Sequence, residues 1–252
     1  ANIVLPIYFK LTAGNSDYML IPTDKKEGRL IVSLTSFPTR INKLWMVIET
    51  ILRQTKKPDM IILWLSEEQF PNLESLPKNL LKLQSRGLKI ELRPNDLRSH
   101  KKYFYFLKEY PNDILITMDD DIIYRNDALK TMIWYMKSYP QCVISNYSHK
   151  MKWNDDCLMS YVEWQGNISK EYIEDDLFFG SGGGTLFPIG SLTKEVLNDK
   201  ISMKICEKAD DVWLNAMCRI NKTRIVKTNY YSVILPIQNR RNKEFNFIYS
   251  RQ

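Results

Sequence analysis

Three consecutive carboxylates, Asp119, Asp120 and Asp121, follow the apolar run Ile114-Leu115-Ile116-Thr117-Met118 and precede Ile122-Ile123-Tyr124. Bare carboxylates are costly to bury, so such a triplet belongs at an exposed strand end facing a cation or another positive charge. Side chains alternate along an extended segment, which puts Asp119 and Asp121 on one side and turns Asp120 away. Two carboxylates so placed suit Mg2+ or Mn2+, hard ions that keep waters and substrate phosphates in their remaining positions. An acidic surface turn without a ligand uses the same residue types; the strand that delivers the triplet favours the metal reading.

Two further segments are candidates for chemistry. In Phe178-Phe179-Gly180-Ser181-Gly182-Gly183-Gly184-Thr185-Leu186-Phe187-Pro188, three adjacent glycines carry a large entropy cost unless the backbone must come close to something. A flexible linker is the alternative, but aromatic and apolar residues bound the glycines closely. The acids Asp210 and Asp211 precede Val212 to Ile220, a helical pattern whose Trp213, Ala216, Met217 and Ile220 face inward. Either acid is suited to cap that helix, and a first turn also holds a carboxylate rigidly enough for catalysis.

These residues need a scaffold, and the hydrophobic pattern supplies one. Leu30 to Leu34 reads as a buried strand, Thr35 to Thr39 as a loop, and Ile41 to Thr55 as a helix with Leu44, Val47, Ile48, Ile51 and Leu52 on one face. Met60 to Leu65 is a second strand, Leu80 to Gly87 a short helix, Leu88 to Leu92 a third strand, Tyr103 to Tyr110 a helix, and Ile114 to Met118 a fourth strand. Alternating strands and helices predict an α/β fold with a mostly parallel sheet covered by helices on both faces. Ligands in such sheets sit at the carboxyl ends of the strands. Thr35 to Arg40, Asn95 to Lys102 and Asp119 to Asp121 all fall there, so three polar loops converge on one crevice. Residues 1–28, broken by Pro6, Gly14, Pro22 and Gly28, read as an arm or an edge hairpin.

A chain of 252 residues with 44% hydrophobic content is expected to form one enzyme-sized domain. The formal charge of +7 suits nucleotide diphosphates, phospholipid surfaces or nucleic acid, and equally ordinary solubility. No nucleic-acid-binding motif accompanies it. Cys142, Cys157, Cys206 and Cys218 form no Cys-x-x-Cys pair, which argues against a zinc site or a disulfide framework and fits a reducing compartment. No apolar stretch approaches the length of a membrane helix and no signal-peptide pattern opens the chain, which starts at Ala1 without Met and reads as an excerpt.

Ser33-Leu34-Thr35-Ser36-Phe37-Pro38-Thr39-Arg40-Ile41, then Asp96 to Lys102 before a helix, then Asp119-Asp120-Asp121, and finally Ala209-Asp210-Asp211-Val212-Trp213-Leu214, together resemble bacterial glycosyltransferases of the GT-A fold. The resemblance is to family-2-like enzymes of capsule and lipopolysaccharide assembly and covers roughly residues 30–220. It implies a single GT-A domain, with a nucleotide-binding half over 30–124 and an acceptor-binding half over 125–252. In its terms Thr35, Pro38 and Arg40 line the base and ribose, with Arg40 near the diphosphate, and Asp96 contacts the base. Lys102 holds phosphate, although Arg98-Ser99-His100 departs from the family pattern and leaves the register between Lys101 and Lys102 open. Asp121 and Asp119 bind Mn2+ or Mg2+, with Asp120 beside them on the donor. The loop of Gly182, Gly183 and Gly184 runs past donor sugar and acceptor, and Asp211 is the general base, with Asp210 in reserve.

The resemblance further implies a UDP-sugar donor, a glycan or lipid-linked saccharide acceptor, inversion at the sugar carbon, and a cytoplasmic location with peripheral contact at the inner face of the membrane. No metal-binding His lies near the C-terminus, since His100 and His149 are the only histidines, so a third protein ligand is open. Asn146, Tyr147, His149, Lys150, Trp153, Trp164 and Gln165 are either an acceptor surface or simple packing. The basic run Arg240-Arg241-Asn242-Lys243 suits phospholipid or a lipid diphosphate, or is merely solvated. Two rivals remain. A nucleotidyltransferase would carry a glycine-rich basic loop after the first strand, and Thr35 to Arg40 contains no glycine; an inactive sugar-binding protein would not need acids at both sites.

Overall fold

The computed structural model describes residues 4–21, 23–166, 168–230 and 235–237. Its centre is an eight-stranded mixed sheet built from β1 (Leu30–Thr35), β2 (Met60–Ser66), β3 (Leu88–Arg93), β4 (Ile114–Thr117), β5 (Val143–Ser145), β6 (Tyr172–Ile173), β7 (Thr185–Phe187) and β8 (Ile225–Lys227). In space the order is β6-β8-β5-β7-β4-β1-β2-β3. Pairing is parallel for β1 with β2 and β4, for β2 with β3, and for β5 with β8. The expected mostly parallel α/β sheet is present, with one departure near its middle. Strand β7 runs antiparallel to both β4 and β5, and β6 is antiparallel to β8 at the edge.

Alternation along the strands feeds two cores. Val32, Leu34, Ile61, Leu63 and Ile116 pack on one face with α2 (Ile41–Leu52) and α5 (Ala128–Ser138). Ile31, Ile62, Trp64 and Leu115 pack on the other with α4 (Lys101–Glu109) and α7 (Asp210–Ile220). The remaining helices are α1 (Val4–Leu11), the short α3 (Lys78–Leu81) and α6 (Asp199–Cys206). The predicted stripe of α2, from Leu44 to Leu52, is fully buried. Helix α7 presents Trp213, Leu214, Met217 and Cys218 to the core, whereas Ile220, expected inside, lies on the exposed face. Gly87 ends the turn after α3 at φ +107°, a left-handed position that suits glycine.

The first 28 residues show no hairpin among those described. They hold α1 and a short turn over Ser16–Tyr18. Pro6 falls in the first turn of α1, where proline is tolerated, and Leu5 and Phe9, four residues apart, anchor the helix. Phe9 sits edge-on to Trp45 of α2 with centroids 6.4 Å apart. The basic run Arg240 to Lys243 lies outside the described residues.

Candidate active site

The acidic triplet leaves the sheet where β4 ends at Thr117, so strict strand alternation does not govern it. The ion pairs show a different grouping from the expected one. Arg40 Nη1 lies 2.7 Å from Asp120 Oδ1 and 3.0 Å from Asp121 Oδ2, while Asp119 Oδ1 meets Lys102 Nζ at 2.9 Å. Ser36 Oγ donates to Asp120 Oδ2 at 2.6 Å. Asp120 is thus buried and fully engaged; Asp119, with 40% of its side chain exposed, and Asp121, with 22%, keep open sides. Burial pushes the Asp121 carboxyl up to about 6 against the pull of Arg40, with Asp119 and Asp120 adding to the rise.

The two lysines whose register the sequence left open take different partners. Lys101 turns to Asp96, whereas Lys102 bridges Asp119 and Asp210, both at 2.9 Å. Burial alone would lower the pKa of Lys102, but the charges of Asp119, Asp210 and Asp211 overcome that effect and keep it protonated. Its helix α4 is anchored to β1 and β2, where Ser33 Oγ donates to the Lys102 carbonyl and Trp64 Nε1 donates to Ser33 Oγ.

The second acidic pair opens α7, whose cap is Ala209. Neither Asp210 nor Asp211 caps the helix through its side chain, because both carboxylates are taken up by Ser181. Ser181 Oγ donates to Asp210 Oδ2 at 2.8 Å, and the Ser181 amide donates to Asp211 Oδ1 at 2.7 Å. Burial opposes ionisation of Asp210, yet Lys102 holds it below the usual carboxylate range. Asp211 lacks such a partner; burial and then the charge of Asp210 push it up to about 7. Asn215, one turn on, donates to the carbonyls of Asp211 and Phe179 at 2.8 Å each and accepts from the Phe179 amide, pinning this turn to the strand before the glycines.

The glycine loop shows why it lacks side chains. A Cβ on Gly182 would stand 1.7 Å from Asp119 Oδ2, and one on Gly183 would stand 2.3 Å from the Cβ of Tyr147. Gly184 adopts φ +98°. The loop is tied to the triplet: Thr117 Oγ1 donates to the Ser181 carbonyl at 2.6 Å, and the Asp119 amide and the Tyr124 hydroxyl both donate to the Gly182 carbonyl. Ser181, Ser36, Tyr124 and Asn215 were not singled out by sequence, although the i, i+4 spacing of Asp211 and Asn215 on α7 was a usable signal.

Other expected residues are placed with less convergence. Thr35 closes β1, with its hydroxyl donating to the Trp64 carbonyl, and Pro38 lies exposed in the following turn. Asp96 binds Gln69, Arg98 and Lys101 rather than any of the triplet. In the second half, Tyr147, His149, Tyr161, Trp164 and Phe178 form a chain of ring contacts with centroids 5.1–5.3 Å apart from Tyr147 to Trp164 and on to Phe178. Trp153 stands apart on a two-residue ladder, half exposed.

No protein-family model and no curated protein sequence matches the chain. Among solved structures it is similar to CMP:2-keto-3-deoxy-manno-octonic acid synthetase complexed with CTP, at 10% identity and a TM-score of 0.49, covering 84% of this chain and 92% of that one. A 4-diphosphocytidyl-2C-methyl-D-erythritol synthase gives 10% and 0.49, covering 85% and 94%. A mannosyltransferase from Pyrobaculum calidifontis in complex with GDP-Man and Mn2+ gives 12% and 0.38, covering 56% of this chain and 42% of that one. Likeness at this level bears on neither substrate nor reaction.

Asp119 and Asp121 are the acids of the triplet with open sides, and so the ones that could hold a divalent cation. Among the described residues no cluster of three or more His, Cys, Asp or Glu side chains is placed to bind one. Two carboxylates are too few for an all-protein cage, and an ion there would have to draw its other ligands from water and phosphate. No described helix is long and apolar enough to cross a membrane.

Proposed function

We propose that this chain is a glycosyltransferase moving a sugar from a nucleotide diphosphate donor to an acceptor hydroxyl, with inversion at the anomeric carbon. The observation that carries the reading is Asp211: a half-buried carboxylate, oriented by the Ser181 amide and pushed up to about 7, next to Asp210, which shares Lys102 with Asp119 of the acidic triplet. A base with a pKa near the working pH is matched to removing a hydroxyl proton as the bond to carbon forms.

The remaining residues divide the work. Asp211 takes the acceptor proton while the acceptor oxygen bonds to the sugar C1 and the C1–O bond to the diphosphate breaks. Lys102 and Arg40, fixed by their acidic neighbours, carry the positive charge that a diphosphate leaving group requires. Mn2+ or Mg2+ held by Asp119 and Asp121 supplies further neutralisation of that leaving group when bound. Gly182 lets the Asp119 carboxylate lie against the loop backbone, where the sugar would pass, and Thr35 and Pro38 border the nucleoside. The sequence resemblance supports a UDP-sugar donor, a glycan or lipid-linked acceptor, a role in capsule or lipopolysaccharide assembly and a cytoplasmic location.

A panel of nucleotide sugars with Mn2+ tests the reading. One donor is expected to raise the melting temperature and to release nucleoside diphosphate in a metal-dependent way, because a ligand specific to the folded state stabilises it. Release of pyrophosphate from a nucleoside triphosphate and a sugar phosphate would instead make the chain a nucleotidyltransferase. Indifference to every donor would dismiss both.

A further inference from the structure

On the surface of α5, Lys130, Trp134 and Lys137 stand at i, i+4 and i+7 and form one exposed stripe. Trp134 is 60% exposed and its ring is held edge-on by Tyr135, with centroids 4.8 Å apart. Lys56 joins them around a groove of about 430 Å³. The acid on its lining, Asp127, is paired with Arg125 at 2.7 Å. The groove thus presents three lysines and an indole to solvent.

A second stripe lies on α1. Val4, Ile7, Tyr8 and Leu11, again at i, i+3, i+4 and i+7, are 69%, 58%, 45% and 81% exposed, while Leu5 and Phe9 hold the opposite side to the core. Contacts beside the groove reach toward α1. Lys57, next to Lys56, lies 5.7 Å from the ring of Tyr18; Arg53 packs on that ring at 3.9 Å and on Tyr8 at 5.2 Å.

We propose that Lys56, Lys130, Lys137 and Trp134, together with the outer stripe of α1, dock on an anionic lipid surface. Lysines near an anionic leaflet each favour binding roughly fivefold, and an indole is at home among headgroups, one side apolar and one edge polar. The aliphatic stripe of α1 has the spacing of a helix that lies in an interface. Three lysines facing three lysines disfavour a second copy of the chain in the groove. Nucleic acid would satisfy the lysines and leave the aliphatic stripe in water. None of these residues belongs to the proposed active site, so this inference stands apart from the reading of the reaction.

Sedimentation of the full chain with phosphatidylcholine vesicles, with and without phosphatidylglycerol, tests it. The chain is expected to pellet only with the anionic vesicles and to be released by high salt. The triple variant Lys56→Glu, Lys130→Glu, Lys137→Glu should weaken binding by at least about tenfold; Trp134→Ala and Val4→Ser with Ile7→Ser and Leu11→Ser should each weaken it severalfold, all with unchanged thermal unfolding. Equal binding to both vesicle types, no binding to either, or wild-type binding by the triple variant would overturn the proposal. So would lysine-dependent binding to duplex DNA without binding to vesicles, or a dimer in solution that the α1 changes dissolve.

Discussion

Asp120 with Asp121 and Asp210 with Asp211 are both adjacent acids in loops or first turns, and both are set against one cation, yet the cation is shared differently. A single guanidinium nitrogen of Arg40 reaches both acids of the first pair, at 2.7 and 3.0 Å. Lys102 reaches only Asp210 of the second pair and spends its other contact on Asp119. Asp211 is left with a backbone amide and a negative neighbour, and its carboxyl rises to about 7. The contrast teaches that one cation shared by two acids leaves both raised, Asp121 to about 6, whereas a cation spent on a single acid holds Asp210 low and lets Asp211 rise to about 7.

The comparison breaks most visibly at Asp211. Asp211→Asn is expected to lower transfer by about 10³-fold, with the donor-induced thermal shift intact. Transfer by the parent chain should rise with pH to an inflection near 7, as the base loses its proton, and the variant should lack that inflection. The stability effect has the opposite sign. The folded value lies above the ordinary carboxylate value of about 4, so the acid weakens folding increasingly as pH rises from about 4 to 7, and the Asn variant should melt higher than the parent at pH ~8 and alike at pH ~4. Retention of transfer within tenfold would remove Asp211 as the base.

Lys102→Met sharpens the contrast next. It strands Asp119 and Asp210 beside each other, and urea denaturation should show a loss of about 3 kcal/mol. Arg40→Met should cost less, because 16% of its side chain meets solvent against 3% for Lys102. Equal losses would mean that the two pairs are compensated alike. Gly182→Ala is the smallest change, about 1–3 kcal/mol by the same measurement, since the new methyl must displace the Asp119 carboxylate. Calorimetry with Mn2+ should show weaker binding in that variant if Asp119 is a ligand.

Strands β1 to β4 and helix α2 were legible because their apolar runs are long and clean, and the loops they carry fall at strand ends as topology requires. What escaped the sequence was contact across the chain. Nothing in the run Asp119 to Asp121 reveals that Arg40, some eighty positions earlier, draws Asp120 and Asp121 together. The antiparallel insertion of β7 was hidden because three residues, Thr185 to Phe187, carry too short a pattern to give direction. Helix α1 was missed because Pro6 was read as a breaker, although a first turn accepts it. Nothing in the glycine-rich run marks Ser181; its role is visible only when α7 is folded against it.

One contact has an evolutionary consequence. Position 182 is glycine because the oxygen of residue 119 occupies the space a methyl would need. Among natural relatives the two positions should therefore vary as a couple: a lineage that acquires any side chain at 182 must move the acid at 119 aside or surrender it. Lineages freed from that acid would be the ones in which the glycine run erodes.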